Sequence, residues 1–554
     1  TSLIINKIWM LSCFPGWLGY KFSRNRIEKV QKKLLHKIIK KNRKTNFGLK
    51  HSFDLINNIS DYVREVPLSN YEDYEKSIQS ICKGESGILT SEDIKIFEPT
   101  SGSTSTSKLI PYTESLKKDF QKGISPWIFD LFLHKPTLMD GSAYWSVSPA
   151  LQTAETVNSK VPIGFDSDTA YLSSYVQRFL NIVMAVPNEV KMIKDISSFK
   201  YVTLLFLLSR ENLRLVSVWN PTFLMILLDS LDEYWNALLN DLSIDEINPP
   251  VKIDYKLKKK LEKQLNVNKK RLKTLKQYRP NQFKKIWPNL ELVSCWTNGS
   301  SKSFYQKIRN EYFPDILIQG KGLIATEGFV SFPLWGKKGS VLSINSHFFE
   351  FQPINDKSQT LLAHELELNK KYKVIITTNG GLYRYQLHDQ IEIIDFDIET
   401  PIIRFIGRDN SISDLFGEKL NEIFVEKIVM ELMKSNNLKP NFILVAPEEC
   451  NNAYRYILFL DISFTNQSNI TILGADFDKE LRKNYHYNYC RNLKQLRKAK
   501  IRIVNKDAGK RLIEIDFKNG MRLGNVKPRI LRSTTGWGKI LSHDKTQINS
   551  IDQH

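Results

Sequence analysis

A hydroxyl-rich segment between two apolar runs constrains the fold of this chain more than any other feature. From Glu98 to Thr113 the chain reads Glu-Pro-Thr-Ser-Gly-Ser-Thr-Ser-Thr-Ser-Lys-Leu-Ile-Pro-Tyr-Thr. The apolar runs Ile94–Phe97 and Leu109–Ile110 predict two strands that hold the polar stretch as an ordered loop. Its backbone N–H groups and hydroxyls can surround a phosphate, with Lys108 adding positive charge at the exit. The alternative is a flexible Ser/Thr linker.

Length and composition limit the class of protein. A chain of 554 residues exceeds what one hydrophobic core usually serves, so we expect two or more domains. The five cysteines are scattered without a CxxC pair, which argues against a disulfide framework or a zinc site and favours the cytoplasm. No apolar run is long enough for a membrane span. Residues 1–19 predict an amphipathic helix rather than a signal peptide, because Lys7 interrupts the apolar run.

The formal charge of +21 leaves two interpretations open. Basic residues concentrate in Arg24–Lys44, Lys252–Lys285 and Arg491–Arg511. A nucleic-acid surface would use this charge, but no basic–aromatic interleaving or zinc finger accompanies it. We therefore favour a solvated basic surface that attracts small anionic ligands, and expect no nucleic-acid partner.

The order of periodic segments predicts an α/β protein with a second, smaller domain. Helical periodicity covers residues 25–46, 115–135 and 168–245, and short strand-like runs dominate from about residue 290. The pattern beyond residue 412 predicts a helix at 418–435, strands at 441–446 and 454–462, a helix at 477–496, and strands at 500–504 and 511–517. We predict a domain over 1–407, a hinge at 408–412, and an α+β domain over 413–554.

Two further segments carry residues suited to nucleotide chemistry. In Ala325-Thr326-Glu327-Gly328 a strand is predicted to end in Thr-Glu-Gly, which would place the Glu327 carboxylate where open α/β sheets bind ligands and where it could hold Mg²⁺. The alternative is an exposed strand-end glutamate. Asp389 follows Tyr383-Arg-Tyr385 at a predicted strand–turn position and could accept hydrogen bonds from a ribose. The alternative there is a β-hairpin with core tyrosines.

The remaining candidates lie in or beyond the predicted hinge. Arg408 could bridge a ribose or phosphate to the second domain, and Gly417-Glu-Lys419 predicts a turn into a helix. Lys527-Pro-Arg is a basic loop near the C-terminus. Each has a plain surface turn as its alternative.

Taken together and in this order, these segments resemble the Gretchen Hagen family of acyl acid amido synthetases, which are adenylate-forming enzymes, and in particular its bacterial members. The resemblance covers nearly the whole chain and extends to Asn46-Phe-Gly-Leu-Lys-His51, Ser294-Cys-Trp-Thr-Asn298-Gly and Ser346-His-Phe-Phe-Glu350. It implies a large N-terminal α/β domain of the firefly-luciferase-like adenylating type with a mobile α+β C-terminal domain. It also implies that ATP and Mg²⁺ are used to join a carboxylic acid to an amino acid through an acyl-AMP.

The resemblance also implies roles for individual residues. The phosphates would contact Ser101, Gly102, Ser103, Thr104 and Lys108, and the adenine would lie near Asn298 and Gly299. Ala325, Thr326, Tyr385, Arg408 and Lys419 would complete the nucleotide site, with Asp389 on the ribose. Glu327 would hold the metal, and Lys527 would stabilise charge on the transferring phosphoryl group.

The acid and amine sites are less determined. Trp127 and Trp219 are candidates for the acid pocket, although aromatic side chains on helices more often belong to a core. His347 and Glu350 are candidates for the acceptor side, with a structural role as the alternative. A ligase that forms a coenzyme A thioester would share the adenylation step, and a nucleic-acid-binding protein on a degenerate enzyme fold is the remaining rival.

Overall fold

The computed structural model describes residues 2–99, 108–146, 159–164, 181–298, 301–356, 358–408, 412–450, 453–462, 467–493, 495–505, 507–518 and 529–541. The chain divides into two compact units, the first formed by residues 1–405 with 520–525 and the second by 406–519 with 526–554. No helix in the described ranges is long and apolar enough to cross a bilayer.

The helices of the first unit gather mainly in its N-terminal half. They are α1 Ser2–Ser23, α2 Ile27–Asn42, α3 Asn46–Lys50, α4 Ile59–Glu65, α5 Glu75–Cys82, α6 Glu114–His134, α7 Ile196–Ser209, α8 Pro221–Ile244, α9 Tyr255–Glu262, α10 Lys269–Leu275, α11 Phe283–Ile286 and α12 Lys302–Lys307. The predicted first helix and the helices near 25–46 and 115–135 are confirmed. Side-chain caps explain where several of them begin: Thr113, Asp195 and Asn220 each accept a backbone N–H at the start of α6, α7 and α8.

Three sheets shape the first unit. An antiparallel hairpin pairs β1 Ile96–Pro99 with β2 Leu109–Tyr112. A parallel sheet has the order β3-β4-β5-β6, from Ser142–Trp145, Leu213–Ser217, Leu292–Cys295 and Leu317–Gly320. A seven-stranded sheet has the order β10-β9-β11-β12-β13-β8-β7, from Leu361–Leu362, Phe348–Pro353, Lys371–Thr377, Tyr385–Asp397, Thr400–Arg408, Ser340–Leu342 and Ser331–Pro333.

The second unit is a three-stranded sheet covered by helices on both faces. It contains β14 Ile412–Ser413, β15 Leu420–Asn421, β16 Ile443–Cys450, β17 Ala453–Leu460, β18 Lys500–Ile503, α13 Glu422–Ser435, α14 Gln467–Leu481, α15 Tyr485–Asn492, α16 Ala508–Lys518 and α17 Trp537–Leu541. Val445, Leu458 and Leu460 pack under α13 and α14, whereas Leu444 and Phe459 pack under α16 and α17. This alternation follows from the two-residue period of a strand.

The secondary structure predicted for residues 168–245 and for residues 511–517 is wrong. Residues 168–245 were expected to be helical, but β4 lies between α7 and α8; a short strand buried on both faces has no alternation to separate it from a buried helix. Residues 511–517 were expected to form a strand and belong to α16. Ala508, Leu512 and Asp516 are its buried residues, and their spacing of four is the helical period.

Candidate functional site

The two strands predicted on either side of the hydroxyl-rich segment are confirmed and pair as a hairpin. Ile96 pairs with Tyr112 and Pro99 with Leu109, so the two strands end together where the loop begins and ends. The loop residues Ser101, Gly102, Ser103 and Thr104 lie outside the described residues. At the exit, the Lys108 ammonium lies 5.1 Å from the centre of the Tyr71 ring and 3.6 Å from a Glu72 carboxylate oxygen.

Glu327 lies in a tight turn rather than at the end of a strand, which corrects the sequence prediction. The backbone N–H groups of Ala325 and Gly328 each donate to the carbonyl of the other, which makes Thr326 and Glu327 the two central residues. The turn is anchored to the hairpin because the Tyr112 hydroxyl, from β2, donates to the Thr326 carbonyl. Glu327 is 6% exposed, so the turn carries a nearly buried carboxylate.

His347 stabilises this turn through its imidazole ring. Its Nε2 accepts the backbone N–H of Phe329 at 2.9 Å, and a Cβ on Gly328 would meet the same nitrogen at 3.0 Å. Burial lowers the pKa of His347 to about 3, so the ring is neutral at physiological pH with its proton on Nδ1. Since Nε2 is already bonded to the backbone, the geometry favours a positioning role over proton transfer.

The third segment meets the same hairpin. The Thr113 hydroxyl, just beyond β2, donates to the Asn379 carbonyl at 3.0 Å. A Cβ on Gly380 would lie 2.8 Å from the Pro111 carbonyl oxygen, so the backbone approach there requires a glycine. The strand that leaves the hydroxyl loop therefore contacts both the Glu327 turn and the segment that leads to Asp389.

Asp389 occupies a β-bulge within β12, not the strand–turn position predicted from the sequence. Lys373 pairs with Gln390 and Ile375 with Gln386, so two residue steps on β11 oppose four on β12. His388 has a φ of +60° and bonds Asn70 through Nε2. Bulges redirect single side chains, often beside active sites, and this one sets the direction of a carboxylate that is 1% exposed.

Glu350, Tyr383 and Tyr385 all make buried contacts. The Glu350 carboxylate receives three hydrogen bonds of 2.8–3.1 Å from the Arg384 guanidinium, and both side chains are buried. Arg384 has a φ of +46° and also donates to the Val63 and Val66 carbonyls. Tyr383 stacks on Phe47 with ring centres 4.4 Å apart, and Tyr385 is a buried member of the main core. The hairpin with core tyrosines, the alternative considered from the sequence, is therefore what forms here.

A ring of indoles surrounds a lysine at the carboxyl edge of the parallel sheet. Trp145 ends β3, Trp219 and Asn298 follow β4 and β5, and Lys321 follows β6 directly. The Lys321 ammonium lies 4.9 Å from the Trp219 ring centre, 5.4 Å from Trp127 and 5.8 Å from Trp145. It also donates to the Ser217 hydroxyl at 2.6 Å. Trp127 and Trp219, both predicted for the acid pocket, thus meet around one buried cation.

Sequence reasoning missed Lys321, Ser217 and Trp145 as site residues. The position of Lys321 in the sequence could have indicated it, because it comes immediately after a strand at the edge where α/β sheets bind ligands. Ser146 and Ser294 hydroxyls and the Trp145 indole N–H line the same edge and have no hydrogen-bond partner among the described residues. Because an unpaired buried polar group is costly, these atoms fit a polar ligand or water better than a dry core.

In the second unit, Lys419 lies in a turn that is stabilised by the buried side chain of its neighbour Glu418. The buried Glu418 carboxylate accepts the N–H groups of Leu415 and Phe416 and the hydroxyl of Tyr456. Lys419 is exposed and has a φ of +44°. Arg408 is the last residue of β13, whereas Gly299 and Lys527 lie outside the described residues.

The fold is similar to that of acyl acid amido synthetases of solved structure. It matches AtGH3.15 acyl acid amido synthetase in complex with 2,4-DB at a TM-score of 0.82 and 18% identity, over 96% of this chain and 95% of that one. A second structure of GH3.15 acyl acid amido synthetase matches at a TM-score of 0.79 and 19% identity, over 94% of each chain. The predicted fold class, a large N-terminal α/β domain of the adenylate-forming type with a smaller α+β domain, is confirmed.

Family models identify the chain more narrowly. The GH3 family N-terminal domain matches residues 20–318, the central domain 340–408 and the C-terminal domain 424–535. The chain belongs to the GH3 family, the Gretchen Hagen family of the sequence prediction, and membership of this adenylate-forming family implies the use of ATP.

Three curated relatives come from plants. The probable indole-3-acetic acid-amido synthetase GH3.11 of Oryza sativa subsp. japonica is 24% identical, over 92% of each chain. The jasmonoyl–L-amino acid synthetase GH3.5 of the same plant is 24% identical, over 94% of this chain and 95% of the relative. The indole-3-acetic acid-amido synthetase GH3.4 of Arabidopsis thaliana is 24% identical, over 73% of this chain and 70% of the relative. Two of these relatives are named as amido synthetases and the third as an amino acid synthetase.

Proposed function

We propose that this chain is an ATP-dependent acyl acid amido synthetase that activates a carboxylic acid as an acyl-AMP and transfers the acyl group to the amine of an amino acid. The observation that carries the proposal is the contact of β2 with two other segments, through the Tyr112 hydroxyl to Thr326 and the Thr113 hydroxyl to Asn379. Phosphate loop, metal-binding carboxylate and ribose-binding carboxylate are parts of one nucleotide site only if such contacts join them.

We propose that the residues of the nucleotide site have the roles that the family resemblance implies. In it Lys108 and the loop before it hold the β- and γ-phosphates, Asp389 holds the ribose, and Asn298 lies near the adenine. The remaining proposed contacts are Ser101, Gly102, Ser103, Thr104, Gly299, Ala325, Thr326, Tyr385, Arg408 and Lys419. Both reactants are anions, so positioning and charge neutralisation are the main catalytic requirements.

Glu327 is the proposed Mg²⁺ ligand. Groups of three or more metal-ligating side chains are absent from the described residues. One carboxylate nevertheless fits Mg²⁺, which takes one or two carboxylates with waters and substrate phosphates. Bound there, the ion would neutralise charge on the phosphates, while the turn keeps the Glu327 carboxylate fixed.

The acid pocket is proposed at the carboxyl edge of the parallel sheet. Three indoles offer apolar faces, while Lys321 and the Ser294 hydroxyl offer a cation and a hydrogen-bonding group. Such a lining suits a carboxylate with a compact aromatic body, since indole faces pack on aromatic rings and a cation attracts the carboxylate. We place the acid carboxylate towards Lys321.

The proposed reaction has two steps. The acid carboxylate attacks the α-phosphorus of ATP and pyrophosphate leaves; the amine nitrogen next attacks the acyl carbon, loses a proton, and AMP leaves. We propose that Lys527 stabilises the first transition state and that residues 408–412 are a hinge about which the second domain, residues 413–554, moves between the steps. His347 and Glu350 position the site without contacting the amine.

Acid-dependent exchange of pyrophosphate into ATP tests the first step. A panel of aromatic and aliphatic carboxylates should give exchange with at least one aromatic acid, and amino acids should then stimulate AMP release. Stimulation by coenzyme A instead of amino acids would identify a thioester-forming ligase. Exchange with no acid and AMP release with no amine would refute the proposal.

Substitutions of single residues test which side chains take part in the adenylation step. Glu327→Gln and Asp389→Asn should each lower exchange about 100-fold or more, which is the typical cost of losing one electrostatic catalytic contact. The control is Glu311→Gln, which changes a carboxylate in a half-exposed pair with Lys307 and should not lower exchange.

Lys321→Met should raise the KM for the acid about 10–100-fold with the KM for ATP unchanged. The exposed Lys338→Met is its control. Equal changes in both KM values would place Lys321 outside the acid pocket.

A further inference from the structure

The outer face of α1 carries a stripe of exposed apolar side chains with the exposed Lys7 among them. Ile4, Leu11 and Phe22 are 65%, 69% and 68% exposed, and Leu3, Ile8 and Phe14 are 38–43% exposed. With 3.6 residues per turn, these six positions all fall on one side of a 22-residue helix. A contiguous exposed apolar patch on a folded protein marks an interaction surface more often than chance exposure.

The helix cannot turn this stripe inward, because its other face is fixed to the core. Trp9, Cys13 and Tyr20 are buried, and Trp9 packs edge-on against Phe132 of α6. The Asn6 amide donates to the Met139 and Gly141 carbonyls at 2.9 and 3.2 Å. The exposed stripe is therefore a permanent feature of the first unit.

The charged side chains of α1 itself are all positive, and the exposed Asp140 lies between the two residues that Asn6 contacts. The helix from Ser2 to Ser23 contains Lys7 and Lys21 and no acidic residue, and Arg26 follows it. The Asp397 carboxylate near its C-terminal end is held by the Tyr20 hydroxyl, Arg24 and Lys337. An apolar stripe with basic residues, on a chain of net charge +21, complements a surface that has anionic groups outside and an apolar interior beneath them.

We infer that α1 docks this protein onto the surface of an anionic lipid bilayer, with its outer face lying in the interfacial region. A helix surface that lies in the interface binds through buried apolar area together with attraction to anionic headgroups. Docking is interfacial, because α1 is packed along its length on α6. A second copy of the chain is the less favoured occupant, since two surfaces of the same positive sign repel each other.

The stripe is separable from the proposed reaction. The match to the family N-terminal domain begins at residue 20, and the nucleotide and acid sites proposed above use no residue of α1. Lipid binding and amide synthesis can therefore be tested independently on the full chain.

The test is sedimentation of the full chain with phosphatidylcholine vesicles, with and without phosphatidylserine. We expect binding to the anionic vesicles that weakens with added salt. The triple variant Ile4→Gln, Leu11→Gln, Phe22→Gln should lose affinity about ten-fold or more, because it removes most of the apolar area that would enter the interface. The matched control Leu55→Gln, Ile472→Gln changes side chains equally exposed elsewhere and should bind as the wild type does.

Three results would overturn the inference. One is absence of binding to anionic vesicles by the wild type. Another is unchanged binding of the triple variant, which would assign adsorption to net charge alone. The third is a concentration-dependent dimer that the triple variant abolishes without any vesicle binding, which would make a second copy the occupant. Circular dichroism of both variants checks that they are folded.

Discussion

At the scale of single residues, the site is organised by polar groups buried beside it. His347 holds the Glu327 turn through one backbone hydrogen bond, and the Arg384–Glu350 pair fixes the segment before β12. A buried ion pair is costly to break from one side, because the remaining charge is left without a partner. His347 and Glu350, which the sequence marked for the acceptor side, thus make buried contacts instead, and we propose that they support the nucleotide site.

His347 makes stability depend on pH. Its pKa of about 3 lies below the unfolded value of 6.5, so the unfolded state binds more protons between these pH values. Stability must therefore fall as pH drops below 6.5, by about 2 kcal/mol at pH 5 from this residue. His347→Gln should be less stable than the wild type at pH 7.5, and the difference should shrink by about 2 kcal/mol at pH 5. Urea unfolding at the two pH values measures this.

The control for this prediction is His486→Gln, because His486 is exposed. It should change stability equally at both pH values. A constant difference between the wild type and His347→Gln across the same range would show that the ring is not buried neutral.

At the scale of elements, α6 is the support on which the turn rests. A Cβ on Gly123 would lie 2.1 Å from a ring carbon of Phe329, and Phe329 follows the Glu327 turn directly. Phe120, one turn earlier on α6, packs edge-on against the same ring. The surface of α6 therefore positions Phe329 and, with it, the Glu327 turn.

Gly123→Ala should displace Phe329 and with it the Glu327 turn. We expect a loss of about 1–3 kcal/mol from overpacking together with reduced pyrophosphate exchange. Gly19→Ala is the matched control, since it also lies in a helix and its Cβ would meet nothing within 4 Å. That control should be neutral or stabilising by up to about 1 kcal/mol. Thermal unfolding and exchange rates of both variants measure the effect, and equal behaviour of the two would contradict the role given to α6.

At the scale of the whole molecule, the two units have separate hydrophobic cores. The main core of the first unit runs from Ile5 to Ile403, and the clusters on the two faces of the β16–β17–β18 sheet lie in the second. Cores that share no residues can unfold separately. The described residues that carry the nucleotide motifs up to Asp389 all belong to the first unit.

Calorimetry should therefore resolve more than one unfolding transition. A non-hydrolysable ATP analogue at about 100 times its Kd should stabilise the first unit by about 2.7 kcal/mol and raise its transition temperature, with a smaller effect on the second unit. The Glu327→Gln, Asp389→Asn double variant should lose most of this shift. A single transition that moves as one with ligand would contradict independent cores.

Local patterns were enough to predict much of this fold. The hairpin around the hydroxyl loop, the helices near 25–46 and 115–135, and the strands from residue 292 onward depend on periodicity and turn residues within short windows. The same windows failed for β4, which is buried on both faces, and for α16, whose apolar run suited either structure. The order of motifs was sufficient for the family, because that order is a property of the sequence itself.

What the sequence determined by itself is therefore the chemistry available: a hydroxyl loop with Lys108, the carboxylates Glu327 and Asp389, and the family they indicate. Only the tertiary structure decided how they are held. Thr326 meets Tyr112 across 214 residues of chain, and Asn379 meets Thr113 across 266. It also placed Lys321 among three indoles and bent β12 at Asp389. The reason is physical: local propensity acts over a few residues, whereas these contacts depend on which distant elements pack together.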